Sequence, residues 1–400
     1  MAAVRVGVVG AGILGLAIAR RLLELDPEIE LTVLEKEARV GAHQTGHNSG
    51  VAHAGLYYAP GSLKARLCRR GIELLKPFCE ERGIRYDECG KLVVAVTGQE
   101  LTRLDEIERR ATENGVPDLK RLDRNGLREI EPYVEGVAGL HSPHTAIVDF
   151  PAVAEAYAAD VRAAGGNVRL GFEVTAIHRV GAEVRVRGAG GEDLAFDRLI
   201  VCGGLQSDRL AEMAGDGREP SIIPFRGEYY RLVPARRDLV KGLIYPVPDP
   251  AYPFLGVHFT RRVDGGVDIG PNAVLAFARE GYTRRDFSAS DLLDSLRSPG
   301  FRKLARKHWR MGAREMWGSL STRAFVAEAR KFIPQLTVAD VESAPAGVRA
   351  QAIDPDGSLV DDFRIVQVGG IVLVRNAPSP AATSSMAIAE YVVDEAYAKA

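Results

Sequence analysis

Apolar positions switch repeatedly between a period of two and a period near 3.6 along this chain. Val4, Val6, Val8 and Val9 read as a short buried strand, and Ile13 to Leu25, rich in Ala, Leu and Ile without proline, predicts a helix. Asp26-Pro27 breaks that helix, Leu31 to Leu34 predicts a second strand, and Glu35 stands at its end. Helices are predicted from Ser62, a candidate N-cap, to Phe78; from Glu100 to Asn114, stopped by Asn114-Gly115; and from Ala152 to Ala164, opened by Asp149-Phe150-Pro151. Lys91–Val96, Val168–Ile177, Glu183–Arg187 and Arg198–Val201 read as strands, the last running into Cys202-Gly203-Gly204. From Ile222 to Asn272 the texture changes to short runs broken by proline and glycine: Gly227–Val233, Leu243–Pro246, Leu255–Thr260 and Val267–Gly270. That spacing predicts an antiparallel sheet. Phe301–Gly318 reads as a helix, Ile365–Val368 and Ile371–Val374 as a hairpin joined by Gly369-Gly370, and Met386–Ala398 as a final helix.

The first forty residues therefore form strand, glycine-rich turn, helix, strand and acid, with the turn spelling Gly10-Ala11-Gly12-Ile13-Leu14-Gly15. Gly10 permits a tight turn, Gly12 lets the backbone approach a pyrophosphate, and Gly15 lets helix and strand pack closely. The amides of Ile13 and Leu14 open the helix, where its positive dipole end attracts phosphate. Glu35, with Lys36 beside it, can accept from a ribose diol and would repel a 2′-phosphate. FAD or NAD is thus expected rather than NADP.

Gly41 to Gly55 is too rich in glycine, histidine and small polar residues for a helix or regular strand. It reads either as a solvent loop or, because it brings three of the chain's eight histidines next to the dinucleotide turn, as a segment along a flavin. Gly203-Gly204 reads as backbone close to a ligand or as a simple turn. The polar stretch Asn376–Ser385 leads into the last helix, whose start can point amides at a second electron-rich group.

Composition narrows the function classes. Four hundred residues supply two to three domain-sized units, and 46% hydrophobic with 26% charged residues is an ordinary globular balance. A net charge of −1 argues against a nucleic-acid partner. No stretch approaches the about twenty apolar residues needed to cross a bilayer, and no cleavable signal is visible at Met1, so a cytoplasmic location is expected. Cys68, Cys79, Cys89 and Cys202 show no C-x-x-C pair and no zinc spacing; reduced thiols and no metal are expected. Phe301–Gly318 holds Arg302, Lys303, Arg306, Lys307, Arg310 and Arg314 with Trp309 and Trp317. It reads as a solvated face, with peripheral contact to anionic lipid at the inner face of the cell membrane as the alternative.

The Gly10–Gly15 fingerprint, the His43–Gly55 loop, Gly203-Gly204, Gly347-Val348-Arg349 and the start of the last helix together resemble the FAD-dependent D-amino-acid oxidase-like superfamily, over nearly the whole chain. More narrowly, QTGHNSGVAHAGLYY (Gln44–Tyr58), GSLKARLC (Gly61–Cys68), FRGEYYRL (Phe225–Leu232), GVHFT (Gly256–Thr260) and NAPSPAATSS (Asn376–Ser385) are similar to L-2-hydroxyglutarate dehydrogenases. The resemblance implies an α/β fold with a Rossmann-type FAD-binding domain and a second, antiparallel-sheet substrate domain. The expected division is 1–90, 145–220 and 340–400 for FAD, with 91–144 and 221–339 for substrate. It implies oxidation of L-2-hydroxyglutarate to 2-oxoglutarate; the electron acceptor, oxygen, a quinone or another protein, is left open by the sequence, with oxygen or a quinone expected. Glu35 would hold the adenosine ribose; Thr45, Asn48 and Ser49 would lie along the flavin; Val174 would give backbone contacts to adenine. Gly203, Gly204, Pro380, Ala381, Thr383 and Ser384 would complete the cofactor's surroundings.

Related enzymes that oxidise glycerol 3-phosphate carry a similar S-x-x-x-H-G-G-L-R word, which aligns His53 with their active-site histidine. Tyr57 stands here in place of their arginine, which argues against a phosphoester. Oxidation of a 2-hydroxy acid needs a hydride acceptor and a base for the hydroxyl proton, and histidine suits the base. His53 is the first candidate and His258 the second, each with the alternative of a satisfied core histidine. Arg349, in Gly347-Val348-Arg349, is the candidate for the C1 carboxylate, as a G-x-R arginine is in similar amino-acid oxidases, or else a surface ion pair. Tyr57, Tyr58 and Lys64 are candidates for the distal carboxylate. Two rivals share parts of this reading: a flavin amine or amino-acid oxidase of the glycine- or sarcosine-oxidase kind, and a flavin-binding electron carrier or scaffold.

Overall fold

Val6, Val8 and Val9 are buried in the strand Arg5–Val9, which lies inside a six-stranded sheet in this computed structural model. The structure describes residues 3–249 and 255–397. The strands run in the order Arg364–Val368, Ile371–Asn376, Arg198–Val201, Arg5–Val9, Glu30–Leu34 and Asn167–Arg169, all parallel except the first pair, the expected hairpin. Strands this apolar need cover on both faces. On one face the helices Ile13–Leu25, Phe150–Ala163 and Ser385–Tyr391 share a core with Leu16, Tyr157 and Ile388. On the other, a three-stranded sheet (Val174–Val180, Glu183–Gly188, Asp193–Phe196) and the helix Ser207–Met213 pack around Leu199, Phe172 and Leu210.

The second region is a nine-stranded sheet, antiparallel but for one pair. Its order is Val274–Leu275, Ser221–Leu232, Val267–Gly270, His258–Arg261, Leu243–Pro246, Lys91–Ala95, Ala138–Ser142 and Lys120–Asp123, with Val341–Ile353 also paired to Ser221–Leu232. The helix Thr322–Ala329 covers it through Phe325 and Val326. A small sheet of Val51–Ala52, Ala146–Val148 and Tyr86–Asp87 gives the Gly41–Gly55 stretch its only strand among the described residues.

Several expectations need correction. Val168–Ile177 is not one strand: the chain leaves the six-stranded sheet after Arg169, turns at Gly171 (φ +69°), and enters the small sheet at Val174. The turn is pinned where the Gly171 and Phe172 amides donate to the carbonyls of Glu37 and Glu35. The boundary at residue 340 falls just before Val341–Ile353, which pairs along the large sheet rather than the nucleotide-side sheet. Its loose alternation, with Gly347 in the middle, hid it from the apolar pattern. The basic helix spans Pro299–Leu320 and carries a kink at His308. The last helix is Ser385–Tyr391 followed by a wider turn over Val392–Tyr397; its expected end at Ala398 lies outside the described residues.

Candidate functional site

The glycine turn works through what its missing side chains would hit. A Cβ on Gly10 (φ +99°) would meet the Cys202 carbonyl, and one on Gly15 would run into the Gly10 carbonyl, so both are required by backbone packing. A Cβ on Gly12 would meet only the Thr45 hydroxyl, at 3.5 Å. The middle glycine therefore faces open space at the start of the helix Ile13–Leu25, where Gly12 itself offers no side-chain cap. Thr45 Oγ1 accepts from the Ile13 amide at 3.0 Å, tying the histidine-rich segment to this helix end. Glu35, nearly buried, accepts from the Ala11 amide at 2.8 Å and the Glu37 amide at 3.0 Å. It thus shapes the turn as well as lining the space beside it.

That space is one cavity of about 970 Å³, at the upper end of the range for small-molecule sites. Gly10, Gly12, Ile13, Leu14, Gly15, Glu35, Lys36, Thr45, Asn48, Ser49, Val174, Gly203, Gly204, Pro380, Ala381 and Thr383 all line it. Ser384 does not reach its lining; its hydroxyl is buried with no hydrogen-bond partner among the described residues. Asn48 folds its own loop, donating to the Gln44 and Thr45 carbonyls while accepting from the Gly50 amide. A helix N-terminus lining the cavity, a glycine with room for a ligand and a carboxylate at the strand end together fit the pyrophosphate and ribose of a dinucleotide.

The same cavity continues into a chamber lined by His53, Tyr57, Tyr58, Lys64, Tyr229, Tyr245, His258, Arg349 and Asp361. The strand Val341–Ile353 delivers Arg349 opposite Phe225, and His258 opens the strand His258–Arg261. Lys64, on the helix Leu63–Glu81, donates to Asp361 at 2.9 Å, while the aspartate side chain is 95% exposed. The His53 amide donates to the Thr383 hydroxyl, so the backbone at His53 is fixed by the C-terminal turn while its ring stands at the cavity. His258 Nδ1 lies 2.9 Å from the Gly256 carbonyl. A carbonyl only accepts, so Nδ1 carries the proton and Nε2 keeps a lone pair.

Electrostatically the chamber is short of solvent and rich in cations. Desolvation, then the charges of Lys91, His258 and Lys64, push His53 down to about 3. Desolvation, with Lys91 and Arg349, likewise pushes His258 down to about 3 against the Gly256 hydrogen bond. Desolvation also lowers Arg349, with Tyr229 and Asp361 opposing, yet a guanidinium stays charged. Burial raises Tyr57 and Tyr58 well above the usual phenol value, and the buried Tyr57 hydroxyl has no partner among the described residues. A polar group left so is available to a ligand oxygen.

Sequence reasoning missed Tyr229, Tyr245, Asp361 and Lys91. Tyr229 lay in a recognised word, and Lys91 heads five consecutively buried positions, a place lysine rarely takes unaided. It also missed a group of metal-ligand geometry, Glu37, His43 and Glu280, whose members come from distant segments. Lys36 Nζ already sits between the two carboxylates, 2.6 Å from Glu37 and 2.8 Å from Glu280. The cysteines are free thiols, and Cys68 donates to the His53 carbonyl at 3.0 Å.

Comparison with known proteins agrees with this geometry. The family described as FAD dependent oxidoreductase matches residues 5–395. The L-2-hydroxyglutarate dehydrogenase, mitochondrial, of Nematostella vectensis is 49% identical over 98% of this chain and 90% of its own. That of Homo sapiens is 46% identical (97% and 87%), and the L-2-hydroxyglutarate dehydrogenase of Escherichia coli K12 is 46% identical (97% and 92%). Among solved structures, the L-alpha-glycerophosphate oxidase of Mycoplasma pneumoniae superposes with a TM-score of 0.78 at 22% identity, covering 98% of this chain and 94% of that one. Glycine oxidase from Geobacillus kaustophilus follows with 0.71 at 19%, covering 98% and 94%. By its fold, its dinucleotide cradle and these matches, the chain belongs to the FAD-dependent oxidoreductases, in the family of the L-2-hydroxyglutarate dehydrogenases.

Proposed function

We propose that this chain oxidises L-2-hydroxyglutarate to 2-oxoglutarate. The observation that carries the reading is a single cavity joining the Gly10–Gly15 cradle to a chamber with Arg349, Lys64 and two neutral histidines. When bound, FAD supplies the acceptor for the hydride that leaves the substrate's α-carbon. Arg349 binds the C1 carboxylate through two parallel hydrogen bonds, fixing which face of the α-carbon is presented. Lys64, Tyr57 and Tyr58 meet the distal carboxylate, with the unpartnered Tyr57 hydroxyl as donor. His53 takes the hydroxyl proton, and His258, with its free Nε2 lone pair, is the second candidate. A ring with a pKa near 3 is unprotonated but weakly basic. The arriving carboxylates raise that pKa, so basicity develops only with the substrate in place.

Charge favours this reading over an amine or amino-acid oxidase. A dianion suits a chamber with Arg349 in its wall and Lys91 behind it, whereas an amino acid brings a further cation into that desolvated space. A carrier or scaffold has no use for such a chamber. We assign 1–90, 145–220 and 340–400 to the cofactor side, less the strand Val341–Ile353, and the remainder to the substrate side.

For the electron acceptor we propose a quinone held in an anionic membrane, with oxygen as the alternative. The support is the helix Pro299–Leu320, where Trp309 (63% exposed) and Trp317 (66% exposed) stand among six basic side chains. No helix among the described residues is long and apolar enough to cross a membrane.

The test is anaerobic mixing of purified protein with a panel of 2-hydroxy and 2-amino acids while following flavin absorbance. Bleaching by L-2-hydroxyglutarate and not by its D-enantiomer is expected. Faster bleaching by glycine, sarcosine or a D-amino acid would overturn the reading in favour of an amine oxidase.

A further inference from the structure

Lys91 is 1% exposed, so its ammonium cannot reach solvent along the side chain, the usual escape for a lysine stem packed on apolar surface. No carboxylate pairs with it among the described residues. Instead Nζ lies 3.7 Å from the Tyr245 ring centre and 4.6 Å from that of Tyr57. The register explains the first contact: Lys91 pairs with Leu243 and Val93 with Tyr245, so Lys91 and Tyr245 are diagonal neighbours on the same face. Both tyrosines line the chamber, and Lys91 lies behind them. The far side of Tyr245 stacks on His258, with ring centres 4.0 Å apart. A cation, two phenol rings and an imidazole thus form one packed series ending at the substrate chamber.

We propose that Lys91 is a positioning residue of this site: its ammonium, held against Tyr57 and Tyr245, keeps the His53 and His258 rings unprotonated and draws an anionic substrate into the chamber without touching it. The inference rests on the oxidation reading above.

The groups facing this series come from many elements, including Tyr229 on the strand Ser221–Leu232 and Arg262, which acts on Tyr245. Lys64 and Cys68 lie on the helix Leu63–Glu81, Tyr57 and Tyr58 on the segment after His53, and Tyr245 on Leu243–Pro246. His258 lies on its own strand and Arg349 on Val341–Ile353, with Asp361 beyond Lys64. Lys91 is the first charge acting on His53 after desolvation and precedes Arg349 among those acting on His258. Desolvation in turn pushes Lys91 down to about 7, so the charge behind the tyrosines is full in mild acid and fades above neutrality. Desolvation is the larger cause of the histidines' neutrality, and the lysine, charged in acid, adds to it there. The substrate loses one attracting charge as pH rises.

The experiment follows histidine-ring resonances against pH in flavin-loaded protein with isotope-labelled histidine, the two rings being assigned with His53→Asn and His258→Asn. In Lys91→Met one or both rings should titrate about one pH unit or more above wild type, and Lys91→Arg should return them. In parallel, kcat/KM for L-2-hydroxyglutarate should show an acid limb displaced upward in Lys91→Met and restored in Lys91→Arg. Wild-type KM should rise above about pH 7. That rise should be absent in Lys91→Met, whose KM is already roughly tenfold higher in mild acid. Unmoved ring titrations overturn the proposal. Should Lys91→Met not fold, a wild-type KM flat from about pH 6 to about pH 9 overturns it equally, those limits bracketing the lysine's depressed pKa. Wild-type protein inert toward L-2-hydroxyglutarate would sink the substrate reading instead, and the ring titrations would still decide Lys91.

Discussion

The cofactor half and the substrate half of this cavity are built in opposite ways. Around Gly10–Gly15 the chemistry belongs to backbone: amides, carbonyls and the space left by one glycine, set by residues close in sequence. Around Arg349 it belongs to side chains, brought from residues 53, 64, 258 and 349 by one helix, two strands and the loop after Val51–Ala52. Backbone sites tolerate little change in shape and much change in charge. Side-chain sites behave the other way round, because each cation acts through a desolvated space.

The strongest contrast should come from Gly12→Val. Its added Cβ has room in the folded chain but points where the pyrophosphate must approach, and the two methyls on it fill that space, so the protein should purify colourless, without measurable turnover. A yellow Gly12→Val protein would remove the backbone account of that half. On the other side His53→Ala should stay yellow and lose roughly 10²–10⁴-fold in kcat with a smaller change in KM. Unchanged kcat would pass the base role to His258. Arg349→Ala should act on binding, at about 2–5 kcal/mol and mostly in KM, and Arg349→Lys should recover only part of it.

A smaller effect concerns stability. His53 and His258 sit near 3 in the folded protein against an ordinary 6.5. Between those values the unfolded chain binds more protons, so their contribution is whole above about 6.5 and is lost as pH falls toward about 3. His258→Gln should therefore show a shallower fall of Tm over that window than wild type; parallel curves would place its titration elsewhere. The least effect on chemistry should follow exchange of Arg306, Lys307 and Arg310 for Gln. Turnover with a soluble acceptor should be unchanged, while low-salt pelleting with anionic liposomes should be lost. Wild-type protein that never pellets would leave that helix a solvated face.

The same contrast explains what could be read from the sequence. The strand, turn and helix through Leu25 are local, and Ile13–Leu25 has its expected bounds because spacing and Asp26-Pro27 decide them. Arg349, His53 and His258 were identifiable from words and residue type, but their meeting in one chamber depends on sheet register, which no local pattern encodes. Lys91 escaped because its burial and its two tyrosine neighbours come from tertiary packing, not from a local pattern. The split of Val168–Ile177 escaped because both halves are equally apolar, and only the layer each joins separates them.

The strand order of the six-stranded sheet has a consequence for how the chain is made. Arg5–Val9 is made before its neighbour Arg198–Val201 by about 190 residues, and the next strand, Ile371–Asn376, follows about 170 residues later still. Until then the edge of Arg198–Val201 is unpaired, and the Pro380–Thr383 wall of the cavity does not exist. A nascent chain can display its glycine turn for most of translation and still have nothing into which a flavin fits. Cofactor capture thereby waits on the strand Ile371–Asn376 and the turn that follows it, and until they are in place the unpaired edge is a site for aggregation.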